Sequence, residues 1–140
     1  MTKTFLAYRF TGEDKVKLEE ALSLIRGGLE VAGHEVTCIF WHEEIFRKNN
    51  FTTEQIYQYG LKELDDCDAF FSYISSENPS KGMELELNYA IKNNKKRILA
   101  IKKGLKMQKF RNSAQEIIEY ETHHDLLSSL ERINFVSNFD

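Results

Sequence analysis

From residue 3 to residue 104, short apolar runs of strand length alternate with longer stretches whose apolar residues recur every three or four positions. That alternation admits few folds, because strands separated by helical crossovers pair in parallel and need helices over both faces of the sheet. The first run is Lys3 to Arg9 (KTFLAYR). A helix is expected over about Asp14 to Ala32, with Leu18, Ala21, Leu22, Ile25 and Leu29 on one stripe and Gly33 as its stop. His34 to Trp41 (HEVTCIFW), β-branched and aromatic, reads as the second strand. Glu43 to Asn50 is polar and irregular, after which Thr52 or Thr53 caps a helix running to about Asp66, with Ile56, Leu61 and Leu64 inward. Asp68 to Ile74 is a third strand, Ser75 to Gly82 a loop with the sole proline, Pro79, and a helix then runs to about Asn94. Arg97 to Ile101 is a fourth strand. Beyond Gly104 the pattern thins, with Glu116 to Tyr120 as the fifth strand and His124 to Arg132 as a closing helix. The expected architecture is α/β, a mainly parallel five-stranded sheet in flavodoxin-like or Rossmann-like order, with helices on both faces and one domain over residues 1–140.

Composition narrows the function classes. A chain of 140 residues buries roughly 70% of its unfolded surface. No stretch approaches the ~20 consecutive apolar residues of a membrane span, and the apolar run near Met1 is too short for a secretory signal. A cytoplasmic setting with no membrane partner is therefore expected. Net charge is −3 with both signs dispersed, and the basic residues of Lys92 to Lys103 flank an apolar strand. No nucleic-acid partner is expected, since a duplex footprint needs clustered Lys and Arg. Cys38 and Cys67 lack CxxC spacing, so they read as buried, reduced core residues, with no zinc or redox role.

Ligands of open parallel sheets bind beyond the carboxyl ends of the strands, here Tyr8 to Gly12, Trp41 to Glu44, Ser75 to Gly82 and Lys102 to Gly104. Neither GxGxxG nor GxxxxGK[ST] occurs, which disfavours dinucleotide and P-loop chemistry. Arg9 either meets a phosphate or carboxylate in two-pronged fashion or ends a strand in solvent. Ser80, Lys81 and Gly82 stand where a helix begins, so free N–H groups and the helix dipole favour an anion there. Gly82 permits close approach to the backbone, while Ser80 is equally suited to an ordinary N-cap. Glu86 and Glu84 border the apolar stripe of Met83, Leu87, Ala90 and Ile91 on opposite sides, and periodicity prefers neither. His123 and His124, before the last helix, are expected to be exposed and are given no role.

The stretch Pro79 to Ala90 (PSKGMELELNYA) resembles the signature of the nucleoside 2-deoxyribosyltransferase superfamily, in which a glycine-containing loop precedes a glutamate and Tyr-Ala often follows. Leu64 to Phe71 is similar to the family's lead-in and Lys95 to Ile101 to its next strand, so the likeness spans roughly residues 3 to 104. A serine six residues before the glutamate, as Ser80 stands to Glu86, is similar to the branch acting on nucleoside 5′-monophosphates, where that serine helps bind the phosphate. The resemblance implies Glu86 as a nucleophile toward the anomeric carbon, with release of the base from a nucleotide or nucleoside and no cofactor or metal. Ser80, Gly82 and Arg9 would hold phosphate, Trp41 would face the base, and Tyr8 would orient Glu86 or the sugar. Base exchange between deoxyribosides and a non-catalytic nucleotide-binding module are the alternatives. The family's habit implies a homodimer. The chain departs from the pattern at Gly60 and Asn88, near Met107 to Ser113, and in the first loop, where Tyr8 and Arg9 match the region and not a residue pattern. Gly60 stands where the family carries an aspartate that organises the glutamate and sugar, and Asn88 replaces a usual glycine. The contact donated by a second subunit has no clear counterpart near Met107 to Ser113.

Overall fold

A computed structural model describes residues 2–77 and 80–133. Twelve elements follow one another: β1 (Lys3–Ala7), α1 (Lys15–Val31), β2 (Glu35–Thr37), a 3-10 turn (Ile39–His42), α2 (Glu43–Lys48), α3 (Thr53–Asp65), β3 (Ala69–Ile74), α4 (Lys81–Lys92), β4 (Lys96–Lys102), α5 (Gln108–Ser113), β5 (Glu116–Tyr120) and α6 (His123–Leu130). The five strands form one parallel sheet in the order β2-β1-β3-β4-β5, the flavodoxin-like order. No helix among the described residues is long and apolar enough to cross a membrane.

Polar side chains cap the starts of α1, α3, α4 and α6. The Asp14 carboxylate accepts from the N–H groups of Val16 and Lys17, and Thr52 forms a reciprocal capping box with Gln55, as Thr122 does with Asp125. Period-two alternation along the strands then divides the core. Leu6, Phe71, Ile98, Ala100 and Ile118 pack under α1 and α6, where Leu18, Ala21, Leu22, Ile25 and Leu29 are all buried. Phe5, Ala7, Phe70, Leu99 and Ile101 face Leu64, Met83, Leu87 and Phe110 of α3, α4 and α5.

Three local expectations change. The second strand ends at Thr37 instead of Trp41, because the chain turns into the 3-10 segment, and Phe40 is buried in the core with Val36 and Cys38. The polar stretch after it is helical as α2, since Phe46 packs on Phe51 and Tyr59 at ring separations of 5.3 and 5.0 Å. The short helix α5 had no periodic signal and is held by Phe110, buried in the core, and by Arg111, which donates to the Leu105 and Lys106 carbonyls.

Candidate functional site

A cavity of about 270 Å³ opens beyond the carboxyl end of β1, beside the point where the strand order reverses. β1 and the following loop contribute Ala7, Tyr8, Phe10 and Thr11, and the 3-10 turn with α2 contributes Ile39, Glu43 and Phe46. Ile56 and Tyr57 come from α3, and Ser80, Gly82, Met83 and Glu86 from the beginning of α4. Mostly apolar walls with a few converging polar groups suit a small ligand, at a volume near the lower end of the roughly 300–1,000 Å³ usual for such sites.

Packing separates the two glutamates that periodicity leaves equal. Glu84 is exposed, whereas Glu86 is buried, 9% accessible, on the same face as Met83, Leu87 and Ala90. Ile91, expected on that stripe, is instead 41% exposed. No hydrogen bond reaches the Glu86 carboxylate from the described residues, and burial pushes its carboxyl up to about 8. Gly60 of α3 explains how the group fits. A Cβ at that position would lie 3.0 Å from Glu86 Oε2, so the bare helix backbone makes the room the carboxylate occupies.

Tyr8 stands beside it. Burial, and behind it the charges of Cys38, Glu86 and Glu43, raise its hydroxyl above the ordinary range, so it stays protonated and able to donate. Its ring meets Phe40 edge-on at 5.7 Å. Cys38 is buried and free, its thiol pushed up to about 12 by burial. Cys67 is likewise buried and free, pushed up to about 11.

Ser80 is the N-cap of α4, its Oγ accepting from the Met83 N–H at 3.2 Å. That bond uses an oxygen lone pair and leaves the hydroxyl proton to donate into the cavity. At Gly82 the close approach is made by Tyr57, whose ring would lie 3.1 Å from an added Cβ. Arg9 is placed next to the cavity wall rather than on it. Its Nη1 donates to Ser76 Oγ at 3.1 Å, and Ser76 Oγ in turn donates to Glu13 at 3.0 Å. Asn78 and Pro79 lie outside the described residues.

Trp41 does not join the site. Its ring lies under the Arg26 guanidinium of α1, 4.9 Å from the ring centroid, because the 3-10 turn directs it there. The aromatic on the cavity rim is instead Phe10, 44% exposed. Glu43, Tyr57 and Phe10 escaped the sequence reading; the available signal was an aromatic and a carboxylate standing in loops at strand ends. His123 also differs from expectation, being half-buried with Nε2 3.2 Å from the Tyr73 hydroxyl. Among the described residues no group of three or more His, Cys, Asp or Glu is placed to hold a metal.

No protein-family model and no curated protein matches this chain. Solved structures do. The CMP N-glycosidase BcmB of Clostridium botulinum superposes with a TM-score of 0.67 at 19% identity, over 94% of this chain and 99% of that one. A 2-deoxyribosyltransferase of Bacillus psychrosaccharolyticus gives 0.66 at 20% identity, over 95% and 93%. A conserved protein of Enterococcus faecalis V583 gives 0.59 at 11%, over 94% and 98%. These likenesses establish the α/β fold.

Proposed function

We propose that this chain cleaves the N-glycosidic bond of a nucleoside or deoxynucleoside 5′-monophosphate. The observation that carries this reading is a buried carboxylate, Glu86, without a hydrogen-bond partner among the described residues, on the wall of the cavity onto which the start of α4 also opens. The resemblance of Pro79 to Ala90 to the deoxyribosyltransferase signature and the fold shared with an N-glycosidase support it.

In this mechanism a Glu86 oxygen attacks the anomeric carbon. The C–N bond breaks, its electron pair leaves with the base, and the base takes up a proton. Water then hydrolyses the glycosyl ester, releasing sugar 5-phosphate and restoring Glu86, as in retaining glycosidases. Tyr8 donates to Glu86 or to the sugar. The phosphate rests against the first turn of α4, where the Ser80 hydroxyl and the N–H of Gly82 donate to it and the helix dipole favours its charge. Arg9 reaches it after exchanging its bond to Ser76. The proposal takes the assembly to be a homodimer, as the family resemblance implies, in a cytoplasmic setting.

Incubation with ribo- and deoxyribonucleoside 5′-monophosphates, followed by chromatography, should release free base. Glu84→Ala should leave that release unchanged, since Glu84 is exposed outside the cavity. A second acceptor base should yield a new glycoside if exchange accompanies hydrolysis. The bare Gly60 backbone beside Glu86 favours one further reading, a binding module without turnover. Failure of the wild type to release base from every nucleotide would select it.

Gly60 also gives a test of geometry. Gly60→Ala adds a methyl 3.0 Å from a Glu86 carboxylate oxygen, so that side chain must give way by a few tenths of an ångström. Helix propensity rises by up to about 1 kcal/mol, so the fold is kept. Turnover should nevertheless fall, roughly 10- to 100-fold for a displaced reacting group. Urea unfolding measured beside base release separates the two effects.

A further inference from the structure

The cavity holds a second carboxylate that the mechanism does not use. Glu43 is the first residue of α2, brought to the wall by the 3-10 turn, with Ile39 and Phe46 as its neighbours on that wall and Phe10 at the rim. Lys15 of α1 forms an ion pair with its Oε2 at 3.3 Å, and the Glu43 side chain is 37% exposed. No hydrogen bond reaches the other oxygen from the described residues, and Ile39 and Phe46 line the cavity with it. A carboxylate in such a place accepts only, so the ligand must bring N–H or O–H donors to it. Phosphate belongs at the α4 start and the sugar beside Glu86, which leaves the base for the α2 wall.

We infer that Glu43 selects the base, and that the base it selects is guanine. This rests on the proposed glycosidase site. Guanine presents two adjacent donors, N1–H and the N2 amino group, which a carboxylate accepts as it does a guanidinium fork, one on the open oxygen and the other on the remaining lone pair of the oxygen that Lys15 shares. Cytosine and adenine offer one amino donor beside a ring nitrogen lone pair that faces the carboxylate unfavourably. Uracil and hypoxanthine offer one ring N–H flanked by carbonyl oxygen. Phe10, 44% exposed and tilted against Phe40 at 6.4 Å, lines the same cavity and can meet the purine ring.

The test compares guanosine and inosine 5′-monophosphates, which differ only in the N2 amino group, with the cytidine, adenosine and uridine compounds alongside. kcat/KM for base release should favour guanosine over inosine monophosphate by roughly 10- to 100-fold, the range for one bidentate base contact. Glu43→Gln should collapse that ratio, because an amide offers one acceptor and one donor, and should raise the relative rates for adenine and cytosine. The exposed Lys15 pair adds little to stability, so the variant folds. The same nucleotides are titrated calorimetrically into Glu86→Gln protein, where the guanine preference should persist without turnover. Equal binding of guanosine and inosine monophosphates, or a ratio unmoved by Glu43→Gln, overturns the role of Glu43 while leaving the glycosidase reading intact. Absence of base release beside a retained guanine preference overturns only the glycosidase reading. No binding of any nucleotide overturns both.

Discussion

Glu86→Gln is expected to reduce base release by at least about 10³-fold, because the amide cannot form the glycosyl ester through which the reaction passes. The same substitution should stabilise the protein. In the unfolded chain a glutamate titrates near 4.5, whereas the buried carboxyl of Glu86 titrates at about 8. Between those values the folded state binds the extra proton, so folding stability falls as pH rises from about 4.5 to about 8. By pH 7 the loss is about 3 kcal/mol, and glutamine, which never ionises, does not incur it. Thermal melts of the two proteins should coincide near pH 4.5 and diverge in favour of Glu86→Gln toward pH 8. A variant both inactive and more stable points to a group kept for chemistry at the expense of the fold. Full activity in Glu86→Gln would remove the nucleophile from the mechanism.

The pH profile of the wild type carries the second large effect. A nucleophile must be ionised, and at pH 6 a carboxyl titrating at about 8 is ionised in about one molecule in a hundred. kcat/KM should therefore climb about tenfold per pH unit through the acid range and level off above about pH 8, since this ratio reports the free enzyme. The sign follows from desolvation: burial disfavours the charged form, and no hydrogen bond from the described residues offsets it. An aspartate facing Glu86 at the Gly60 position would add a like charge, which raises the same group further. Glycine there leaves burial as the single cause. A rate independent of pH between 6 and 9 would contradict a buried Glu86 as the attacking group.

The architecture was open to sequence reasoning because burial on both faces of a parallel sheet writes continuous apolar runs into the strands, and three- or four-residue stripes into the helices. All five core residues expected on α1 lie in the core, and the cap at Ser80 is where the chain calls for one. Errors fell where local pattern is ambiguous. The run from Val36 to Trp41 is as apolar as a strand, yet the strand breaks at Thr37 and the chain continues as a 3-10 turn. That one turn moved Trp41 out of the site and brought Glu43 in.

By itself, then, the chain determined the α/β class, the parallel sheet and the loops at the strand ends. Those properties follow from neighbouring residues and from the period of the pattern. Tertiary structure alone decided that Glu86 is buried and Glu84 exposed, that Gly60 is the surface against which Glu86 rests, and that Glu43 shares its cavity. Each of these depends on contacts between residues distant along the chain. The environment of a carboxylate is set by what packs around it, and one-dimensional spacing carries no record of that.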